Sequence, residues 1–211
     1  MGFKKLVSMN IAVIGNTAAA IRYASDFAAA GHDIYMATTA GERPPALHIP
    51  GNFDNIYFCT IPDAAAIADL IVMATEPKDV REAAYWLDDV RRKVIIDVTA
   101  NMNVPDEDYV KTVNAIAAIT GSKHIVKLFD TAGYEAILRP LFHGACPDVV
   151  LLSDSKKAKE ITKIMTRELD MNVFYDFGGS EHLDLFNEMT RCWLKVKLGL
   201  KCSDELIKVI S

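Results

Sequence analysis

The stretch IAVIGNTAAAI, residues 11–21, has the residue types and spacing best suited to chemistry in this chain. A β-rich apolar run ends at Gly15, and an alanine-rich segment with helical spacing follows it. In a turn G-x-G-x-x-G that binds a dinucleotide, the first glycine permits the tight turn, the second lets the backbone approach the pyrophosphate, and the third allows close helix–strand packing. Here those places hold Gly15, Thr17 and Ala20. Because alanine is an accepted substitute at the third place, only the middle place is seriously altered.

Thr17 has two opposed consequences for a phosphate at this turn. Its β-branched side chain adds bulk where the pyrophosphate would lie, whereas its hydroxyl could donate a hydrogen bond to the phosphate. The helix dipole and the free backbone N–H groups at the start of the helix are available in either case. The sequence therefore predicts a dinucleotide site whose affinity depends on Thr17.

The second apolar run ends in Thr38 and Thr39, about 20 residues beyond the turn, where an NAD site usually offers an acidic residue to the ribose. No acid stands there. The two threonine hydroxyls, together with Arg43, could instead receive a 2′-phosphate, which favours NADP over NAD. The alternative is that the threonines only end a strand and that Arg43 is a solvated surface residue.

The elements that must position these residues are short apolar runs that alternate with alanine-rich helical patterns. Near-continuous apolar runs of this kind are typical of parallel strands buried on both faces. They predict an α/β fold, a doubly wound, mostly parallel sheet of about eight strands with helices on both faces, with ligands at the carboxyl ends of the strands. The predicted strands are 10–15, 33–38, 55–60, 70–75, 94–99, 125–130, 148–153 and 172–177.

Composition limits the classes of function. The 211 residues, 51% of them hydrophobic, are enough for one domain over 1–211, with 178–211 as a C-terminal helical extension. A net charge of −5 without a basic block argues against nucleic acid. The apolar runs fall short of the roughly 18 to 20 residues of a membrane span, and the N-terminal run is too short for a signal peptide, so we expect a cytoplasmic protein. The four cysteines form no C-x-x-C pair, and we expect no metal site.

The order of segments resembles a family, the small NADP oxidoreductases that are coenzyme F420-dependent, which are Rossmann-like dinucleotide-binding proteins. The first matching segment, IAVIGNTAAAIRYASDFAAAGHDIYMATT, is shared by many Rossmann enzymes. More specific are a strand that ends in F-D-T, within HIVKLFDTAGYEAIL, and a later P-D-V strand followed by a helix, within PDVVLLSDSKKAKEITKIMTRELDMNVFYDFGG. Between them lie ADLIVMATEPKDV and VIIDVTANMN.

The resemblance implies hydride transfer between NADP(H) and a second cofactor or small acceptor, F420 or a flavin. Such chemistry needs two rings held face to face more than it needs an acid or a base, so no catalytic side chain is assigned. The family's cofactor positions correspond here to Gly15, Asn16, Thr17, Ala18 and Ala20 for the pyrophosphate, Thr38, Thr39 and Arg43 for the adenosine phosphate, Thr75, Glu76 and Pro77 after the fourth strand, and Thr99 and Ala100 for the nicotinamide.

The chain departs from the family at two of these places, and a third is electrostatically unfavourable. Family members usually have glycine where Thr17 stands and often a Ser-Arg pair where Thr38 and Thr39 stand. Glu76 would repel the phosphates of a bound dinucleotide.

Two hypotheses remain open from the sequence. The first is an NADP-dependent oxidoreductase. The second is a non-catalytic Rossmann module that has lost dinucleotide binding and senses another nucleotide or serves as a subunit. The amphipathic C-terminal helix predicts a homodimer, with the alternative that the helix covers a sheet face of its own chain.

Overall fold

An eight-stranded sheet organises the described part of the chain. The computed structural model describes residues 8–39, 41, 49, 51–100, 110–130, 148–171 and 173–199. Within this part, eight strands pair in the order β3-β2-β1-β4-β5-β6-β7-β8. Each predicted run contains one strand, so the predicted sheet is confirmed. The strands are β1 Asn10–Ile14, β2 Asp33–Thr38, β3 Ile56–Thr60, β4 Leu70–Met73, β5 Val94–Asp97, β6 Ile125–Asp130, β7 Asp148–Leu152 and β8 Val173–Asp176.

The strand order reverses between β1 and β4, because β2 and β3 lie on one side of β1 and the later strands lie on the other. Both strands run parallel, with Ile14 opposite Met73 in the register. One pairing in the sheet is antiparallel, that of β6 with β7, while β8 pairs parallel with β7. The carboxyl ends of β1 and β4 therefore lie side by side at the switch point, where ligands bind in sheets of this kind.

Helices cover both faces of the sheet. They are α1 Ala18–Ala29, α2 Ile61–Ile67, α3 Val80–Tyr85, α4 Thr112–Thr120, α5 Lys156–Glu168 and α6 Leu183–Gly199. Ile11 and Val13 of β1 point into the layer formed with α1 and α5, whereas Ala12 and Ile14 point into the layer formed with α2, α3 and α4. This alternation buries the strand on both sides, as the predicted doubly wound arrangement requires.

The C-terminal helix α6 packs against its own sheet. Its Leu183 and Phe186 are buried in a cluster with Phe129, Val150 and Leu152 of β6 and β7. Residues 200–211 lie outside the described part of the chain. The packing agrees with the alternative that the helix covers its own chain, and the homodimer stays a prediction.

Among the helices in the described ranges, none has both the length and the apolar character needed to cross a bilayer.

Candidate functional site

Gly15 forms a tight junction between β1 and the end of β4. Its φ is +121°, a conformation that side-chain-bearing residues rarely adopt. A Cβ built on it would lie 2.8 Å from the carbonyl carbon of Ala74 and closer still to the carbonyl oxygen. Its N–H donates to the carbonyl of Ala37 at the end of β2, at 2.9 Å. Glycine is therefore required both by the backbone conformation and by the contact with Ala74.

Thr17 is the N-cap of α1, and its hydroxyl is fully used within the protein. The oxygen accepts a hydrogen bond from the N–H of Ala20 at 3.2 Å, and the hydroxyl donates to the carbonyl of Ala74 at 2.7 Å. A hydroxyl has one proton to donate. The predicted hydrogen bond from this hydroxyl to a phosphate is therefore not available in this arrangement, and Thr17 instead ties the start of α1 to the end of β4.

We expect Thr17→Val to lower the free energy of unfolding by about 1 to 2 kcal/mol, because it removes both the N-cap hydrogen bond and the bond to Ala74. Thr17→Ser keeps the hydroxyl and should stay within about 0.5 kcal/mol of the wild type. Urea unfolding of the two variants separates the contribution of the hydroxyl to stability from that of the methyl group. Equal stability of Val and Ser variants would contradict the assigned hydrogen bonds.

A groove with a cavity volume of about 250 Å³ opens beside this junction. Six of the predicted cofactor residues line it: Gly15, Asn16, Thr38, Thr39, Thr75 and Glu76. Thr17, Ala18 and Ala20 belong to the adjoining start of α1, where Ala20 is buried. Pro77 is buried in the first position of a short 3-10 turn that follows Glu76. Arg43 lies outside the described residues.

The groove is acidic on the side of α3. Asp79 and Glu82 line it together with Glu76, and all three are exposed. Among the lining residues that the structure describes, none is basic. From the sequence, Glu76 alone was predicted to lie near the phosphates. Asp79 and Glu82 line the groove only because of the way α3 packs.

Two hydroxyls in the groove wall have no hydrogen-bond partner among the described residues. The Oγ1 atoms of Thr38 and Thr75 are buried and, within the described part of the chain, make no hydrogen bond. A buried hydroxyl without a partner costs free energy. Both residues stand at the ends of strands that flank Gly15, so the wall has two polar atoms whose hydrogen-bonding capacity is unused.

The backbone at the start of α1 has unused donors as well. The N–H of Ala20 is bound by Thr17, and the first intrahelical bond runs from Ile21 to the carbonyl of Thr17. No acceptor among the described residues binds the N–H groups of Thr17, Ala18 and Ala19. Free N–H groups at a helix start, combined with the helix dipole, form an anion site.

Thr99 and Ala100 follow β5 and line a different, small cavity. Its volume is about 20 Å³, enough for about one water molecule. The opposite wall is α6, through Phe186, Asn187, Thr190 and Arg191. The structure thus divides the predicted cofactor residues between the groove at β1 and β4 and this cavity at β5 and β6.

A buried ion pair that the sequence did not predict lies beneath the small cavity. Lys127 of β6 and Asp97 of β5 face each other in the register, with 2.8 Å between Nζ and Oδ2. Asp97 is 0% exposed and Lys127 is 6% exposed. The available signal was one basic residue in the apolar run IVKLFD and one acidic residue in VIID, on two predicted neighbouring strands.

Two other kinds of chemistry find no support at the site. Burial, with the nearby Asp63 carboxylate, raises the pKa of the Cys59 thiol on β3, so this thiol stays protonated and is a poor nucleophile. No group of three or more His, Cys, Asp or Glu side chains within the described ranges could hold a metal ion.

The groove-forming part of the chain is similar in sequence to one family. Residues 10–101 match the family described as NADP oxidoreductase, coenzyme F420-dependent. The matched segment runs from β1 through the loop after β5 and so includes the Gly15 turn, the groove and Thr99. No curated protein matches the chain in sequence.

Solved structures share the fold. A candidate F420-dependent NADP reductase from Arthrobacter sp. FB24 has a TM-score of 0.78 at 19% identity, with 97% of this chain and 100% of that chain covered. Pyrroline carboxylate reductase from Plasmodium falciparum, with NADP bound, has a TM-score of 0.60 at 12% identity, covering 92% and 66%. A reductive aminase from Aspergillus terreus, in complex with NADPH, has a TM-score of 0.63 at 14% identity, covering 93% and 63%. At these identities the similarity establishes the fold.

The family match and the fold together support an NAD(P)-dependent oxidoreductase. The resemblance seen in the sequence is confirmed over residues 10–101, which match the family described as NADP oxidoreductase, coenzyme F420-dependent.

Proposed function

We propose that the protein is an oxidoreductase that binds NADP(H) across the carboxyl ends of β1, β4 and β5 and exchanges a hydride with F420 or a flavin-like acceptor. The observation that carries the proposal is the helix start beside the groove, where the N–H groups of Thr17, Ala18 and Ala19 have no acceptor among the described residues, next to the tight Gly15 junction. The family description and the name of the Arthrobacter structure support the type of acceptor.

The groove residues fit a dinucleotide in three respects. Unused N–H groups at the start of α1 suit a pyrophosphate, which is the group that helix N-termini bind in these folds. The partnerless hydroxyls of Thr38 and Thr75 suit the ribose and phosphate oxygens of the adenosine half. Thr39 is exposed and directly follows Thr38, the last residue of β2, where the 2′-phosphate would lie.

The chain contributes binding and orientation rather than proton transfer. When bound, reduced NADP supplies a hydride, and the acceptor takes it up with one proton from solvent. The resemblance assigns the nicotinamide end to Thr99 and Ala100, which follow β5, the next strand beyond the groove, and their separate cavity of about 20 Å³ would have to open to admit the ring. Fixing two rings in reacting geometry is the main source of rate enhancement in such transfers.

We expect Glu76→Gln to strengthen NADPH binding about two- to fivefold, because it removes a carboxylate from a groove that must receive phosphates. The gain should shrink as salt is added, since salt screens exposed charges. Isothermal titration calorimetry at two salt concentrations measures both effects. Asp54→Asn is the matched control: it removes the same charge from an exposed turn just before β3, at the amino end of that strand, whereas the groove lies at the carboxyl ends of the strands. Equal gains from both variants would contradict a local effect of Glu76.

The acceptor is tested by following the absorbance of reduced nicotinamide with F420 or FMN as acceptor. We expect oxidation of NADPH with one of these two, at a rate about tenfold or more above that with NADH. Binding of NADPH without oxidation in the presence of either acceptor would overturn the proposed acceptor class. The dinucleotide site would then remain, with another small molecule as its substrate.

The acidic groove favours a second candidate. Glu76, Asp79 and Glu82 place three carboxylates where phosphates would approach, which suits a module that has lost dinucleotide binding and takes a less anionic ligand. Failure of both NADPH and NADH to bind would select this candidate.

A further inference from the structure

The groove wall on the side of α3 presents two carboxylates that the protein itself does not use. Asp79 and Glu82 are exposed and stand three residues apart, which puts them on one face where α3 begins. Asp79 is the N-cap residue of α3, yet its side chain makes no capping hydrogen bond. Within the described part of the chain, neither carboxylate takes part in a hydrogen bond or an ion pair. Because an ionised carboxylate only accepts hydrogen bonds, this wall suits a ligand group that donates them.

The floor of the groove is apolar. It is formed by Ile14, Ala37, Ile61 and Ala83, which line the groove and are at most 4% exposed. A flat ring has apolar faces that can lie on such a floor while the polar groups at its edge reach the wall. Of the two described cavities lined by predicted cofactor residues, the groove of about 250 Å³ has room for such a ring, and the cavity of about 20 Å³ does not.

The phosphate end of the groove is separate from the α3 wall. Glu76 follows Thr75, whose Cα would lie 3.1 Å from a Cβ on Gly15, so Glu76 belongs to the turn beside the unused N–H groups of α1. Asp79 and Glu82 lie three and six residues further along the chain, at the start of α3. A nucleotide with its phosphates at the start of α1 would therefore extend its base over the floor towards Asp79 and Glu82.

Adenine has the chemistry that this wall requires. Its exocyclic amine donates hydrogen bonds, and its ring has no carbonyl oxygen. Guanine, hypoxanthine and the carboxamide of nicotinamide each have a carbonyl oxygen, an acceptor that would face two carboxylates and find no donor there. The buried hydroxyls of Thr38 and Thr75, which have no hydrogen-bond partner among the described residues, independently indicate that a polar ligand completes this groove.

We propose that Asp79 and Glu82 are specificity-determining residues: their carboxylates accept hydrogen bonds from the exocyclic amine of an adenine base that lies on the apolar floor. The inference rests on the proposed function, because it needs a nucleotide with its phosphates at the start of α1. It also gives the two carboxylates a role. They weaken binding of every nucleotide through repulsion of its phosphates, and they select the nucleotide whose base donates.

The test compares adenosine 5′-diphosphate (ADP) with inosine 5′-diphosphate (IDP), in which a carbonyl oxygen replaces the exocyclic amine. We expect the wild type to bind ADP about tenfold more tightly than IDP. In Asp79→Ala/Glu82→Ala the acceptors are gone, so the ratio should fall to about twofold or less, mainly through tighter binding of IDP. Calorimetry measures both affinities, and thermal unfolding checks that this variant of two exposed residues folds as the wild type does.

Glu76→Gln is the matched control within the same groove. It removes a carboxylate near the phosphates and leaves Asp79 and Glu82 in place. We expect it to strengthen binding of ADP and IDP by the same factor, about two- to fivefold, because the two ligands have identical phosphates. Their affinity ratio should therefore stay at the wild-type value.

The outcomes separate the inference from the proposed function. Absence of binding of both ADP and NADPH by the wild type would overturn both. Normal binding of NADPH, with equal affinities for ADP and IDP or with an unchanged ratio in Asp79→Ala/Glu82→Ala, would overturn the recognition of adenine alone. A ratio that falls as far in Glu76→Gln would mean that the charge of the groove, rather than hydrogen bonding to the base, sets the preference, and would also overturn it.

Discussion

Gly15→Ala is expected to lower the free energy of unfolding by about 3 kcal/mol or more and to abolish dinucleotide binding. Two costs combine. The φ of +121° is unfavourable for alanine, and the new Cβ would overlap the backbone carbonyl of Ala74, which cannot rotate away as a side chain could. Relieving the overlap separates β1 from β4 at the switch point, where the groove begins. Thermal unfolding and NADPH titration of the variant check the two effects.

Gly121→Ala is the control for this substitution. Gly121 caps α4 with a φ of +67°, and a Cβ there would meet the Nε of Arg91 at 3.2 Å, the end of a flexible side chain. We expect a cost of about 1 kcal/mol and no change in NADPH affinity. A Gly15→Ala variant as stable as Gly121→Ala, or one that binds NADPH normally, would contradict the role given to the Ala74 contact.

Asp97→Leu is expected to cost about 3 to 5 kcal/mol, because it leaves the Lys127 ammonium buried without its counter-charge. Adding Lys127→Met should restore most of that loss, since no buried charge then remains. The free energies of unfolding of the two single variants and the double variant give the coupling between the residues. The result concerns stability alone and does not depend on any ligand.

The pair Lys159–Asp176 provides the comparison for a more exposed ion pair. Its Nζ and Oδ1 atoms are 2.6 Å apart, and its side chains are 17% and 37% exposed, against 7% and 0% for Lys127 and Asp97. We expect Asp176→Asn to cost less than about 1 kcal/mol. A coupled buried pair would be contradicted if the losses of unfolding free energy at Asp97 and Lys127 were as small as that of Asp176→Asn and simply added up in the double variant.

The sheet could be predicted from the sequence because burial on both faces leaves a continuous apolar signal. All eight strands lie within their predicted runs, and β2 and β6 match them at both ends. The antiparallel direction of β7 was not predicted, because the apolar pattern of DVVLL is the same whether the neighbouring strand runs parallel or antiparallel. Strand direction follows from the connection rather than from the apolar pattern.

The site could be predicted only where its partners are close in sequence. Gly15 and the start of α1 form one local turn, and both were placed correctly. The hydroxyl of Thr17, however, binds Ala74, 57 residues away, and Lys127 binds Asp97, 30 residues away. A threonine in a phosphate-binding turn suggests contact with the phosphate, and only the packing of β4 beside β1 shows that the hydroxyl is already used.

The central claim is that a dinucleotide binds beside Gly15, and calorimetric titration of the wild-type protein with NADPH, with thermal unfolding in parallel, tests it most directly. Trp86, 45% exposed directly after α3, offers a fluorescence signal near the groove residue Glu82. We expect saturable binding of one NADPH per chain, weaker binding of NADH, and a gain in stability of about 2.7 kcal/mol at a ligand concentration 100 times Kd. No heat, no fluorescence change and no stabilisation at millimolar NADPH would contradict the claim.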